Sequence, residues 1–105
     1  MIMRIWRGQA TGANADAYVR HFSHTVSASL KTLAGHRGAW LLRREAGGET
    51  ELIALTLWES RQAIEAFAGS DIDKAIVEPE GRAVLSSFDD FASHYEVAHW
   101  QGFSR

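Results

Sequence analysis

The chain contains no cysteine, a single proline, and no apolar run long enough to span a bilayer. Without cysteine there is no disulfide frame, no thiol nucleophile and no thiolate ligand for a metal. Charge of one sign is not in excess either. Eleven Lys and Arg stand against 13 Asp and Glu, the net charge is -2 with His neutral, and no basic run stands out. Such a surface lacks the footprint of a nucleic-acid binder. The opening residues MIMRIWRG carry no long apolar h-region before their charges, so no secretory signal is expected. The resulting expectation is a soluble cytoplasmic protein with neither a nucleic acid nor a membrane as partner. Phosphate-binding patterns are missing too: GHRG and EAGGE fit neither the P-loop nor the dinucleotide fingerprint. No nucleophile elbow or HExxH occurs. Flavin, nicotinamide, nucleotide and zinc chemistry therefore lack support, and neither a cofactor nor a metal is expected.

What is present is enough for one globular domain: 105 residues, 46% of them hydrophobic. The most informative stretch is Leu52–Phe67, LIALTLWESRQAIEAF, an apolar run that ends in Trp58 with a helix-capping Ser60 directly behind it. The first strand reads as Ile2–Gly8. Asn14 is the expected N-cap of a helix running to about Ala34, with the stripe Tyr18, Phe22, Val26, Leu30 and Leu33, and Gly35 closes it. Gly38–Ala46 and Glu51–Glu59 form a hairpin around Gly47-Gly48. Ser60 caps a helix to about Ala68, buried through Ala63, Ile64 and Phe67. A short helix over Asp71–Val77 is expected to end before Pro79, and Val84, Leu85 and Phe88 to pin the following segment. Phe91–His99 is the expected last strand, leaving residues 101–105 as a tail on a domain of residues 1–100. The order β-α-β-β-α-(α)-β implies an α+β, ferredoxin-like βαββαβ fold with an antiparallel sheet.

Alternation on the third strand places Ile53, Leu55 and Leu57 on one face and Leu52, Ala54, Thr56 and Trp58 on the other. The helices of such a fold cover one sheet face only. The other would expose an aliphatic ladder larger than a soluble monomer usually shows. Two sheets packed face to face in a homodimer resolve this; a C-terminal segment folded over the bare face is the alternative.

The spacing YVRHF…LAGHRGAWLLRRE…LTLWES…AIEAFAG…VEPEGRAVL…HYEV resembles the antibiotic biosynthesis monooxygenase (ABM) domain family over roughly Ile2 to Ala98. The resemblance implies a dimeric α+β barrel whose subunits each keep a pocket between helices and sheet. Members include cofactor-independent monooxygenases acting on polycyclic aromatics, a branch that degrades haem, and many proteins of no known activity. The haem-degrading branch uses an Asn on the first strand, a Trp ending the third and a His after the second helix. Trp58 matches the Trp, whereas Trp6 and Val77 occupy the other two positions without gaps.

Cofactor-free oxygenation needs a base to ionise an electron-rich phenol or anthrone, a cation or donor to hold the anion, and walls that exclude water. The candidates are His94 as base and Arg4 as anion holder, with Trp6, Tyr18, Phe22, Trp58, Phe67 and Glu96 binding a small aromatic molecule. This assignment takes His94 and Glu96 to face inward and Tyr95 and Val97 to join the dimer side. Each candidate has a plainer reading: the aromatics as core, Arg4 and Glu96 as a cross-strand pair, and His94 as structural. His21 and His24 are spaced for a metal pair without an evident third ligand and read as solvated; His36 reads as structural. Three functions follow: a cofactor-independent monooxygenase, a non-catalytic aromatic-binding or stress-response module, and, third in rank, a haem degrader.

Overall fold

The structure is a computed structural model that describes residues 1–102. Of the tail expected at 101–105, residues 103–105 lie outside the described residues. The chain runs β1 (Ile2–Ala10), α1 (Gly12–His21), a π-helical turn (Phe22–Val26), α2 (Ser27–Lys31), β2 (His36–Ala46), β3 (Glu49–Trp58), α3 (Arg61–Ala68), α4 (Pro79–Val84), β4 (Ser87–Phe88) and β5 (Ser93–Glu96). The sheet order is β2-β3-β1-β4, with β5 also pairing β1, and every pairing is antiparallel. This is the ferredoxin-like α+β arrangement the sequence implies. No helix among the described residues is long and apolar enough to cross a membrane.

The alternating residues of β3 separate the two faces of the sheet. Leu52, Ala54, Thr56 and Trp58 are all buried beneath the helices. The cross-strand register puts Met3, Ile5, Trp40 and Tyr95 on the other face, with Leu55 and Leu57. Trp40 is 40% exposed there, Leu42 47% and Tyr95 57%. The core splits in two. One cluster gathers Trp6, Tyr18, Phe22 and Leu52 under α1; the other gathers Leu30, Trp58, Ile64 and Ala68 under α2 and α3.

Local chemistry explains most element ends. The Ser60 side chain accepts from Ala63 N at 3.1 Å and starts α3. Gly35 follows α2 at φ 85°, and a Cβ there would come within 2.6 Å of the Ala63 Cβ, so the turn requires glycine twice over. Three expectations need correction. The first helix starts at Gly12 with Thr11 as its N-cap, not at Asn14, and its middle widens into the π turn. Asp71–Val77 is irregular rather than helical, and Pro79 opens α4 instead of ending a helix: a proline in the first turn loses no hydrogen bond. The last strand is shorter than Phe91–His99: Phe91 and Ala92 pair with the backbone at Lys74 and Asp73 instead of β1, and Glu96 already stands opposite Ile2, the first residue of β1.

Candidate functional site

A cleft between the sheet and the helices holds about 580 Å³ of space unoccupied by atoms, part of it open to solvent. Its floor is two adjacent rungs of the central strands, Arg4 opposite Thr56 and Trp6 opposite Ala54. One wall is the first helix through Tyr18, His21, Phe22, Val26 and Leu30; Phe67 closes the opposite side. The roof comes from Ile76, Val77, Glu78 and Gly81.

The helical wall depends on the π turn. Tyr18, Phe22, Val26 and Leu30 are spaced four apart, and in a plain α-helix each such step drifts by about 40°. The wider turn at Phe22–Val26 takes back part of the drift, so all four face the cleft.

Arg4 is 4% exposed. Its guanidinium donates to the carbonyls of Ile72 and Lys74, the latter at 2.8 Å, and to His94 Nε2 at 2.8 Å, and lies 5.7 Å from the Phe67 ring centroid. Burial lowers its pKa to about 10, with Asp73 working the other way. It therefore stays charged at neutral pH, yet none of these three acceptors is a carboxylate. An anion in the cleft would meet a desolvated cation already fixed in place.

His94 stands opposite Arg4 in the register, on the inner side of β5. Its Nε2 accepts from Arg4, so Nδ1 carries the proton toward Asp73 Oδ1 at 3.1 Å. Burial, and then the Arg4 charge, hold its pKa below the usual imidazole value. With both ring nitrogens engaged and the ring outside the lining, His94 offers the cleft no free lone pair. Its hydrogen bond helps fix the Arg4 guanidinium.

The other sequence candidates divide. Trp6, Tyr18, Phe22 and Phe67 line the cleft. Trp6 donates Nε1–H to the Asp89 carbonyl at 2.8 Å and packs on Tyr18, with ring centroids 6.0 Å apart. Burial, and then the charge of Glu78, push the Tyr18 phenol up to about 12, so it is a hydrogen-bond donor rather than a base. Trp58 is fully buried behind Phe67 and outside the lining. Its Nε1–H donates to Thr56 Oγ1 at 2.9 Å, which leaves the Thr56 proton available to the cleft. Glu96 is exposed at the end of β5, away from the lining.

His21 is not solvated as the sequence suggests: its side chain is 8% exposed, it lines the cleft, and its Nδ1 lies 3.3 Å from Glu80 Oε2. His21, Glu78 and Glu80 bring ligand atoms within 4.8 Å of one another, a set that leaves out His24, the partner the sequence spacing suggested for His21. Glu78 and Gly81 carried no signal in the sequence beyond their closeness to Pro79. His24 is exposed.

The family model described as Antibiotic biosynthesis monooxygenase matches residues 1–79. Comparison with curated proteins yields no match. Among solved structures, the chain resembles SnoaB, a cofactor-independent oxygenase from Streptomyces nogalater, at TM-score 0.65 and 16% identity over 94% of each chain. It resembles the haem degrader MhuD from Mycobacterium tuberculosis, with two haems bound in its active site, at TM-score 0.63 and 23% identity over 97% of this chain and 100% of that one. A monooxygenase from the ActVA-Orf6 gene of Streptomyces coelicolor, in complex with Nanaomycin D, matches at TM-score 0.61 and 14% identity over 98% of this chain and 92% of the other. At these identities the likeness shows a shared fold.

Proposed function

Because the chain belongs to the antibiotic biosynthesis monooxygenase family, we propose that it is a cofactor-independent monooxygenase oxidising an electron-rich aromatic molecule, polyketide- or quinol-like, in the cleft above Arg4. The observation that carries this reading is a buried, fixed cation facing a cavity walled by aromatic rings. Trp6, Tyr18, Phe22 and Phe67 stack on the ring system and keep water from the reacting carbon. Arg4 stabilises the substrate anion and then the superoxide formed when that anion reduces oxygen. His94 and Asp73 hold Arg4 in place, and Thr56 donates to a substrate oxygen.

The working unit in this proposal is a homodimer, supported by the apolar outer sheet face around Trp40, Leu42 and Leu55. Haem degradation is supported less well. The position of the branch's axial His holds Val77, which cannot ligate iron.

Oxygen uptake by purified protein against a panel of anthrones and quinols tests the proposal. Uptake by the protein alone, cut about a hundredfold or more in Arg4→Met, is expected for loss of an anion-stabilising donor. Quenching of tryptophan fluorescence by these compounds without any uptake would instead make the protein a binding module.

A further inference from the structure

None of the groups given a role so far can act as the base, and of the lining side chains His21 and the Glu78 carboxylate remain. His94 has no free lone pair, the Tyr18 phenol is held protonated, and Arg4 is a cation. We propose that His21 is that base, oriented by Glu80, and that it takes the acidic C–H or O–H proton of an anthrone- or quinol-type substrate. This inference rests on the monooxygenase reading and adds the group that starts the reaction.

Three observations carry it. First, His21 is the lining imidazole and is almost wholly buried, while its carboxylate neighbour Glu80 is 72% exposed. Glu80 Oε2 lies on the Nδ1 side, which favours the proton on Nδ1 and leaves the lone pair on Nε2. Second, position 81, which borders the Nε2 side of His21, is glycine. A methyl group at Gly81 would sit 3.6 Å from His21 Nε2, an ordinary contact, and a tighter 3.2 Å from Tyr18 Cε1. The backbone at Gly81 is ordinary α-helix, so the missing side chain, rather than a special conformation, is what this position supplies. Third, the Tyr18 and His21 rings meet edge to face at 5.8 Å, so both side chains line the same part of the cleft. A substrate oxygen can then be held while the neighbouring proton is removed.

The groups facing His21 are Tyr18 on its own helix and Glu78 and Glu80 at the start of α4. The balance is simple. Nε2 takes the proton and the electron pair stays on the substrate carbanion. That anion transfers one electron to O₂, and the resulting radicals combine as a hydroperoxide. Loss of water then gives the quinone carbonyl, so R₂CH₂ and O₂ become R₂C=O and H₂O.

Anaerobic titration with 1,8-dihydroxyanthrone separates proton removal from oxygenation, because the anion has its own visible absorption. The wild-type protein is expected to ionise the bound anthrone at a pH where the free compound is neutral. His21→Gln should bind it within about threefold of wild type, by tryptophan quenching, while the ionised fraction falls tenfold or more. Glu80→Gln, an exposed change, should lie between the two. Ionisation by His21→Gln equal to wild type would overturn the assignment. If that variant also consumed oxygen at the wild-type rate on admitting air, the base would be wrong and the monooxygenase reading would stand. Ionisation by wild type without oxygen uptake would keep the base and remove the monooxygenase reading. Ionisation that vanishes on treatment with chelator, returns with Zn²⁺ or Mn²⁺ and is lost in Glu78→Gln would also overturn the base, making the three side chains a metal site.

Discussion

Arg4 combines two tasks that single substitutions can separate. Its hydrogen bonds to the Ile72 and Lys74 carbonyls tie the irregular stretch before α4 to the sheet, and its charge faces the cleft. Arg4→Lys keeps a charge without the planar fork, so it should retain much of the affinity for an anionic aromatic while losing stability. Arg4→Met should lose both, with about 2–4 kcal/mol of stability removed as two carbonyls and His94 lose their donor; urea unfolding followed by tryptophan fluorescence would show the difference. His36 offers a second residue-level test. It packs edge to face on Trp58, and its buried Nδ1 finds no hydrogen-bond partner among the described residues. Burial lowers its pKa below the usual imidazole value. The unfolded chain therefore binds a proton before the folded one does. The contribution of His36 is fully present above pH 6.5 and is lost as pH falls through the folded-state value. Melting temperature should drop between pH 7.5 and 5.5, and His36→Phe should flatten that drop.

Among the elements, those governed by local patterning were legible in the sequence. The apolar run ending in Trp58 and the Gly47-Gly48 turn located β3 and β2, and Ser60 marked the start of α3 because its oxygen caps Ala63 N. Ser60→Ala should cost about 1 kcal/mol in thermal or urea unfolding. The roof of the cleft was not legible. Its course is set by distant contacts, from Arg4 to the 72–74 carbonyls and between the 73–75 and 90–92 backbones. Pro79 is compatible with either end of a helix, and only those contacts decide which. The inner side of β5 was inferred from the aliphatic ladder on the other face of β3, and the register pairs His94 with Arg4; the engagement of both His94 nitrogens by Arg4 and Asp73 was not legible. Gly81 yields an element-level prediction. Gly81→Ala should gain up to about 1 kcal/mol of helix stability, less the cost of the tight Tyr18 contact. Aromatic binding should weaken by tenfold or more in a fluorescence titration.

At the scale of the whole molecule, the two faces of one sheet serve different ends. The inner face builds the cleft, and the outer face presents Trp40, Leu42, Leu55 and Tyr95. If that face joins two copies, Leu55→Asp near its centre should weaken the dimer by about 2 kcal/mol or more, roughly thirtyfold in Kd. Sedimentation velocity over a concentration series would measure it. Tryptophan fluorescence of the monomeric variant should still respond to aromatic ligands, because Leu55 lies on the sheet face opposite the one that floors the cleft.

The π turn at Phe22–Val26 has a consequence for tracing descent. It amounts to one residue more than a plain α-helix would need over the same rise. Any alignment with a relative whose first helix lacks it must open a one-residue gap there. Without the gap, every pairing from Val26 to Lys31 is rotated by about 100° around the helix axis, and cleft residues are matched to solvent residues. Insertion or loss of that residue would re-aim half of the helical wall in a single evolutionary event while leaving the sheet and its register unchanged.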